Sequence, residues 1–403
     1  MTEAQRTSPT RAGSRFATRA ATILVCLAVV TGCSTVKGWF GGKGDDAKAG
    51  EPAELVKFEA TATPTRIWKA SAGKGEGSTG VRQGPAVADG RVFAASIKGG
   101  VRAFDLQSGA QAWHHASDLR LSGGPGAGDG LVVVGSLDGE LVALDAATGA
   151  ERWTAKVVSE VIAAPTIGQG LVLVRSNEGR VTAFDASNGE RRWFWVQDLP
   201  SLTVRGNAPV TLGPGHAFVG LDDGRVVALA LGDGRVLWEQ PISLGDGRTE
   251  LDRMADVDGA PVLDGPVLFA TSYKGRTMAF EAPSGRPIWA AESGGAGGVS
   301  VGSDRLVVSD KAGTVWAIDK YVGTSYWRQP ALTNRNLGPA RIHGSYAVVG
   351  DFDGYLHWMR LLDGEFVARE RAGRNALAGP PVVADGILVV QDVDGDISAW
   401  RID

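Results

Sequence analysis

The side chains that could do chemistry are few in this chain of 403 residues, and their spacing does not suit it. His114, His115, His216, His343 and His357 are the first candidates for metal ligation, but none stand at the H-x-x-x-H spacing that sets two imidazoles on one helical face. His114 and His115 directly follow a tryptophan and read as strand-end residues. Neither a G-x-S-x-G nucleophile turn nor a phosphate-cradling P-loop occurs. Most aspartates precede or flank glycine, where the carboxylate bonds nearby backbone amides. These features predict no catalytic residue, no metal ligand and no cofactor. A formal net charge of −4 argues against nucleic acid or an anionic membrane surface as the main partner.

One thiol remains in a setting that invites modification. Arg6, Arg11, Arg15 and Arg19 form a basic leader, and Ala20 to Val30 is an apolar run too short to span a bilayer. The run ends in V-V-T-G-C-S, with small Thr31 and Gly32 before Cys33, and resembles a bacterial lipobox. That resemblance implies removal of residues 1–32, acylation of Cys33 and, with Ser34 next, retention at the outer membrane on its periplasmic side. Cys26 leaves with the leader, so no thiol is left to oxidise in the periplasm. Acyl chains on Cys33 are then the expected link to the membrane. Residues 33–53, with G-G-K-G-D-D-A-K-A-G, read as a flexible tether, and residues 54–403 as the folded body.

The body repeats one phrase. Pro165 to Trp193 carries two short apolar runs, a glycine turn, an alternating strand ending in Asp185, a second tight turn and a closing strand with tryptophan. Asp105, Asp145 and Asp185 fall forty residues apart. The register glycines are Gly99, Gly139, Gly179, Gly224, Gly275, Gly313, Gly354 and Gly395, with Trp fourteen residues later at 113, 153, 193, 238, 289 and 327. The seventh unit has Ala368 there, and the eighth lacks a tryptophan strand that R-I-W-K (Arg66–Lys69) would supply. Four short strands per forty-residue unit without helical periodicity predict an all-β fold. The expected form is an eight-bladed β-propeller of four-stranded antiparallel blades, closed by the amino-terminal strand. The Trp and Asp/Gly signature over residues 60–403 resembles the quinoprotein-dehydrogenase-like repeat.

Against that register, two consecutive connectors are long. From a unit's Trp to the opening position of the next is 12 residues after Trp113, Trp153 and Trp327 and 10 after Trp289, but 16 after Trp193 and 23 after Trp238. All connectors of this kind lie on one face, so the two extended ones are expected to project side by side, where binding residues tend to sit. The first carries L-P-S-L-T-V-R-G (Leu199–Gly206), whose Leu202, Val204 and Arg205 have the composition of an interface hot spot. The second carries T-E-L-D-R-M-A-D-V-D-G-A-P (Thr249–Pro261). Its D-V-D-G differs from those at Asp351–Gly354 and Asp392–Gly395, which end on register glycines and read as hairpin turns.

The two segments together, on an eight-bladed propeller behind a lipobox, resemble the BamB family, lipoprotein subunits of the machinery that assembles outer-membrane β-barrels. The resemblance implies contact with the periplasmic POTRA domains of a BamA-like barrel-inserting subunit through Leu202, Val204, Arg205, Asp256 and Asp258. Two alternatives share the fold. A PQQ-dependent quinoprotein dehydrogenase is similar but a longer chain, with a calcium site and often an adjacent-cysteine disulfide, and residues 34–403 contain no cysteine. A propeller that binds nascent outer-membrane proteins directly would add their strands to an exposed blade edge.

Overall fold

In the computed structural model, residues 50–75, 80–200, 208–243 and 255–402 are described. Among them every regular element is a strand, thirty-two in all, paired into eight four-stranded sheets.

Blade 3 shows why the sequence folds this way. Its inner strand β10 (Thr166–Gly168) is short and half-buried, while β11 (Leu171–Ser176) and β12 (Arg180–Asp185) are buried on both sides. A strand sandwiched between neighbouring sheets has no solvent face, so L-V-L-V and V-T-A-F run apolar without alternation. The outer strand β13 (Arg191–Val196) has one free face and alternates, with Trp193 turned inward. Pairing is antiparallel throughout the blade, and a β-bulge between Ala183 and Phe184 rotates the outer strand. The inner strands of successive blades touch in order around the axis, ending with β30 (Val382–Ala384) against β2 (Ala86–Ala88).

The recurring tryptophan is the clasp between blades. Trp153 on β9 (Glu151–Lys156) of blade 2 donates its indole N–H to the Ala186 carbonyl in the turn between β12 and β13, at 2.9 Å. Trp113, Trp193, Trp238, Trp289 and Trp327 repeat this at 2.9–3.0 Å on the following blade. Each ring lies over the glycine of the turn it grips. A Cβ on Gly189 would stand 2.6 Å from Trp153, and its φ of +74° already favours glycine.

Blade 8 is completed by β1 (Thr65–Ser71), which pairs antiparallel with β32 (Asp396–Arg401), as R-I-W-K predicts. Its Trp68 donates to the Leu106 carbonyl of blade 1 at 2.9 Å, closing the ring with the same clasp. This topology also accounts for Ala368. The outer strand of blade 8 comes from the amino-terminal side, so no turn follows β32 within the blade for a blade 7 tryptophan to grip. Buried Trp358 and Trp400 fill that interface instead, 6.0 Å apart.

Residues 51–62 run extended over blade 7. Asn334 donates to the Glu51 carbonyl at 3.0 Å, and the Ala53 amide donates to Thr333 at 2.9 Å. Phe58 stacks on Phe366 at 5.6 Å, and the Thr61 amide donates to Val367 at 2.9 Å. Three residues assigned to the tether, Glu51–Ala53, are therefore held against the propeller.

Candidate functional site

The second long connector enters blade 5 through residues 255–261, and here the structure departs from the expected projecting loop. Val257 inserts into the apolar core between blades 4 and 5, against Gly220 at the end of β15 (His216–Gly220), where a Cβ would come within 2.5 Å of its side chain. Its amide donates to the Leu221 carbonyl at 3.0 Å, and the Tyr273 amide donates to the Asp256 carbonyl at 2.8 Å. Gly259 packs on the next connector, where a Cβ would lie 2.1 Å from Gly298. The segment is thus pinned at three points.

Pinning Val257 draws the flanking acids down with it. Asp256 is 0% exposed and Asp258 half-buried, which corrects the expectation that both carboxylates project from the face. The apolar residue between them is buried in the core of blades 4 and 5 and carries both acids down with it, their burial being offset by backbone and neighbouring charge contacts. The distinction from a hairpin turn holds. Asp351 and Asp392 each accept from two amides of their own turns, whereas Asp256 and Asp258 sit in a connector before β18 (Val262–Asp264).

The acids meet a third carboxylate. Oxygens of Asp222, Asp256 and Asp258 lie within 4.8 Å of one another. Asp222, in the turn after β15, is paired with Arg175 at the end of β11 at 2.9 Å, with the two side chains 5% and 2% exposed. Sequence reasoning passed over both, although an arginine inside L-V-L-V-R-S is a visible signal, because a charge in a buried strand must find a partner. Burial, then the charges of Asp256 and Asp222, push the Asp258 carboxyl well above the usual carboxylate range, against the pull of Arg175 and Arg82. Asp258 Oδ1 and Arg175 Nη1 are buried without a hydrogen-bond partner. Three carboxyl groups crowd together with Arg175 beside them and Arg82 in range, and the crowding favours the protonated form of Asp258.

That crowding sets a pH dependence. The folded chain holds the Asp258 proton more tightly than the unfolded chain, so its contribution is lost as pH rises from about 4 towards the folded-state pKa. Asp258→Asn removes the effect. Its unfolding temperature is expected to exceed that of the parent at about pH 7 and to match it near pH 4, a tenfold change in proton affinity being worth about 1.4 kcal/mol. Equal differences at the two pH values would refute this.

Leu202, Val204 and Arg205 of the first connector, and Cys33, lie outside the described residues. Of the five residues expected at the site, the described structure brings Asp256 and Asp258 together.

Seven tryptophan clasps and eight four-stranded blades define the class, a ring-closed eight-bladed β-propeller. The family described as outer membrane protein assembly factor BamB matches residues 97–329. A protein of that name from Xanthomonas campestris is 57% identical over 384 residues, covering 93% of this chain and 95% of that one. Its namesake from Pseudomonas aeruginosa is 42% identical over 383 residues, 95% and 98% of the two chains. This chain belongs to the BamB family. Among solved structures, BamB from Moraxella catarrhalis superposes with a TM-score of 0.76 at 27% identity, covering 84% of this chain and all of that one. A quinohemoprotein alcohol dehydrogenase from Comamonas testosteroni shares the fold, with a TM-score of 0.65 at 16% identity over 84% of this chain and 76% of that one.

Proposed function

We propose that this chain is a non-catalytic scaffold of the outer-membrane β-barrel assembly machinery, anchored at the periplasmic face by lipid on Cys33. It docks onto the POTRA domains of a BamA-like subunit. The observation that carries this reading is the 57% identity, over 93% of the chain, to a relative named as an assembly factor.

The geometry supports a division of labour between the two connectors. Leu202 and Val204 supply apolar contact, and Arg205 a guanidinium that can bond a carboxylate through two N–H groups. Asp256 and Asp258 act from below. Fixed by Val257, Asp256 sets a negative potential that favours cationic groups of this chain or of the partner at the face, and Asp258, which holds its proton, offers a carboxyl for hydrogen bonding. A docking surface built on a rigid floor loses less entropy on binding than one built on free loops.

Arg205→Ala is expected to abolish co-purification with the BamA-like subunit while leaving the unfolding temperature within about 1 °C, as for surface substitutions generally. A pull-down from detergent-solubilised envelope, with partners identified by mass, checks it. Full recovery of the subunit with the variant would place the docking surface elsewhere. Asp256→Ala is unsuited to this comparison, because its buried position makes a stability change part of the result.

A further inference from the structure

The segments that precede the inner strands share a pattern: a small residue, then proline. Examples are Gly84-Pro85, Gly338-Pro339 and Ala208-Pro209. These residues meet at the propeller axis around a cavity of about 290 Å³, to which all eight blades contribute. The small residues are required by the close approach of neighbouring segments, since a Cβ on Gly84 would stand 2.5 Å from the Pro380 carbonyl. Proline rings, alanine methyls and Ile162 make most of the wall apolar.

Into this wall projects one guanidinium with no acid beside it. Arg341, on β26 (Arg341–His343) of blade 7, donates Nε to the Pro381 carbonyl at 3.0 Å and Nη1 to the Ala340 carbonyl at 2.9 Å. Among the described residues no carboxylate lies within ion-pair distance of it. The surface it retains lines the cavity. Arginine does not escape burial by losing its proton, so an uncompensated guanidinium is a standing cost that a bound anion would relieve. Burial alone pushes its pKa down to about 10. The other charged groups on the wall are Arg82, exposed, and Asp258. The Asp258 carboxyl holds its proton and supplies no counter-charge for Arg341.

We propose that the axial cavity binds a small organic monoanion, its carboxylate paired with the Arg341 guanidinium and its apolar body held among the proline and alanine walls. The volume is at the small end of ligand sites and suits a molecule of about ten non-hydrogen atoms. A predominantly apolar lining with a few placed polar groups, here Arg341 with Arg82 and Asp258, is the usual composition of such a site. The cavity shares Asp258 and Pro209 with the ends of the two long connectors, but its anchoring charge, Arg341, lies on blade 7 and has no part in the docking reading.

The test uses the full-length chain in detergent, titrated by calorimetry with benzoate and, separately, with inorganic phosphate. Saturable one-to-one binding of benzoate and weaker binding of phosphate are expected. Arg341→Gln should weaken benzoate at least about tenfold, the loss of a charge-assisted pair of hydrogen bonds. Ala296→Leu, which narrows the cavity and leaves Arg341 in place, should abolish binding. It decides the matter alone if near-ultraviolet circular dichroism shows that Arg341→Gln has lost its native packing. No saturable benzoate binding, binding unchanged in a folded variant, or phosphate binding as tight as benzoate would overturn the proposal. Loss of benzoate binding in these variants with co-purification of the BamA-like subunit intact would keep the two sites separate.

Discussion

Trp153→Ala is expected to destabilise the propeller by about 3–5 kcal/mol, the cost of emptying a buried tryptophan site. The side chain is 7% exposed, belongs to the core shared by blades 2 and 3, and lies 6.4 Å from the Phe184 ring. Truncation also removes the donor to the Ala186 carbonyl. The informative comparison is with Gly189→Ala, which places a methyl 2.6 Å from the Trp153 ring and puts an L side chain at φ +74°. The two changes should be strongly non-additive. With the tryptophan gone, the new methyl occupies emptied space, and only the backbone penalty of about 1 kcal/mol remains. Urea midpoints of the parent, the two single variants and the double variant measure the coupling. Additive costs would mean that the indole and the turn do not act as one clasp.

That clasp is also why the fold was so legible. Trp and Gly are fourteen and ten residues from fixed points of each unit because one must lie on the other across a blade boundary, so the spacing is a record of a contact. Even the exceptions carried information, since Ala368 marks the interface without a turn and Arg66–Lys69 the strand that completes it. The site was less legible for a physical reason. Connector lengths single out a segment, but whether an acid on a connector is exposed depends on what its neighbour buries. Val257 finds its place only because Gly220, thirty-seven residues earlier, leaves room for it. Arg175 announced a buried ion pair without naming its partner, because Asp222 sits in the next blade and resembles an ordinary Asp-Gly turn residue. The blade 7 cluster of Arg335, Asp351 and His357 was likewise hidden behind a turn motif that explains only half of what Asp351 does.

Asp351→Ala is the second change with a large expected cost, about 3 kcal/mol, because it removes the buried carboxylate partner of Arg335 and leaves it only the half-exposed Asp353 at 3.1 Å, while stripping His357 and two turn amides of their acceptor. Asp351 and His357 are fully buried and Arg335 nearly so. Oδ1 of Asp351 accepts from the Asp353 and Tyr355 amides at 3.0 Å, while Oδ2 accepts from Arg335 Nε at 2.7 Å and His357 Nε2 at 2.9 Å. Burial pushes this carboxyl up, and the His357, Arg335 and Tyr355 donors together outweigh it and hold it below the usual range. The cluster also fastens the segment before β1. Arg335 donates to the Ala53 carbonyl at 3.1 Å, and Arg369 donates to Val56 at 2.9 Å and to His357 Nδ1 at 3.0 Å. An arginine only donates, so Nδ1 of His357 is bare and its proton is on Nε2, the neutral form. Burial first, then Arg369 and Arg335, push the His357 pKa below its ordinary value despite the pull of Asp351. The unfolded chain therefore takes up this proton first as pH falls, and stability present above about pH 6.5 is lost on acidification, well before carboxylates titrate. Loss of Asp351 should accordingly show twice. The variant should unfold at lower urea, and residues 51–62 should exchange amide hydrogens and be cleaved by protease faster than in the parent. Unchanged exchange at Ala53 and Thr61 in a destabilised Asp351→Ala would show that the cluster supports blade 7 alone and does not hold this segment.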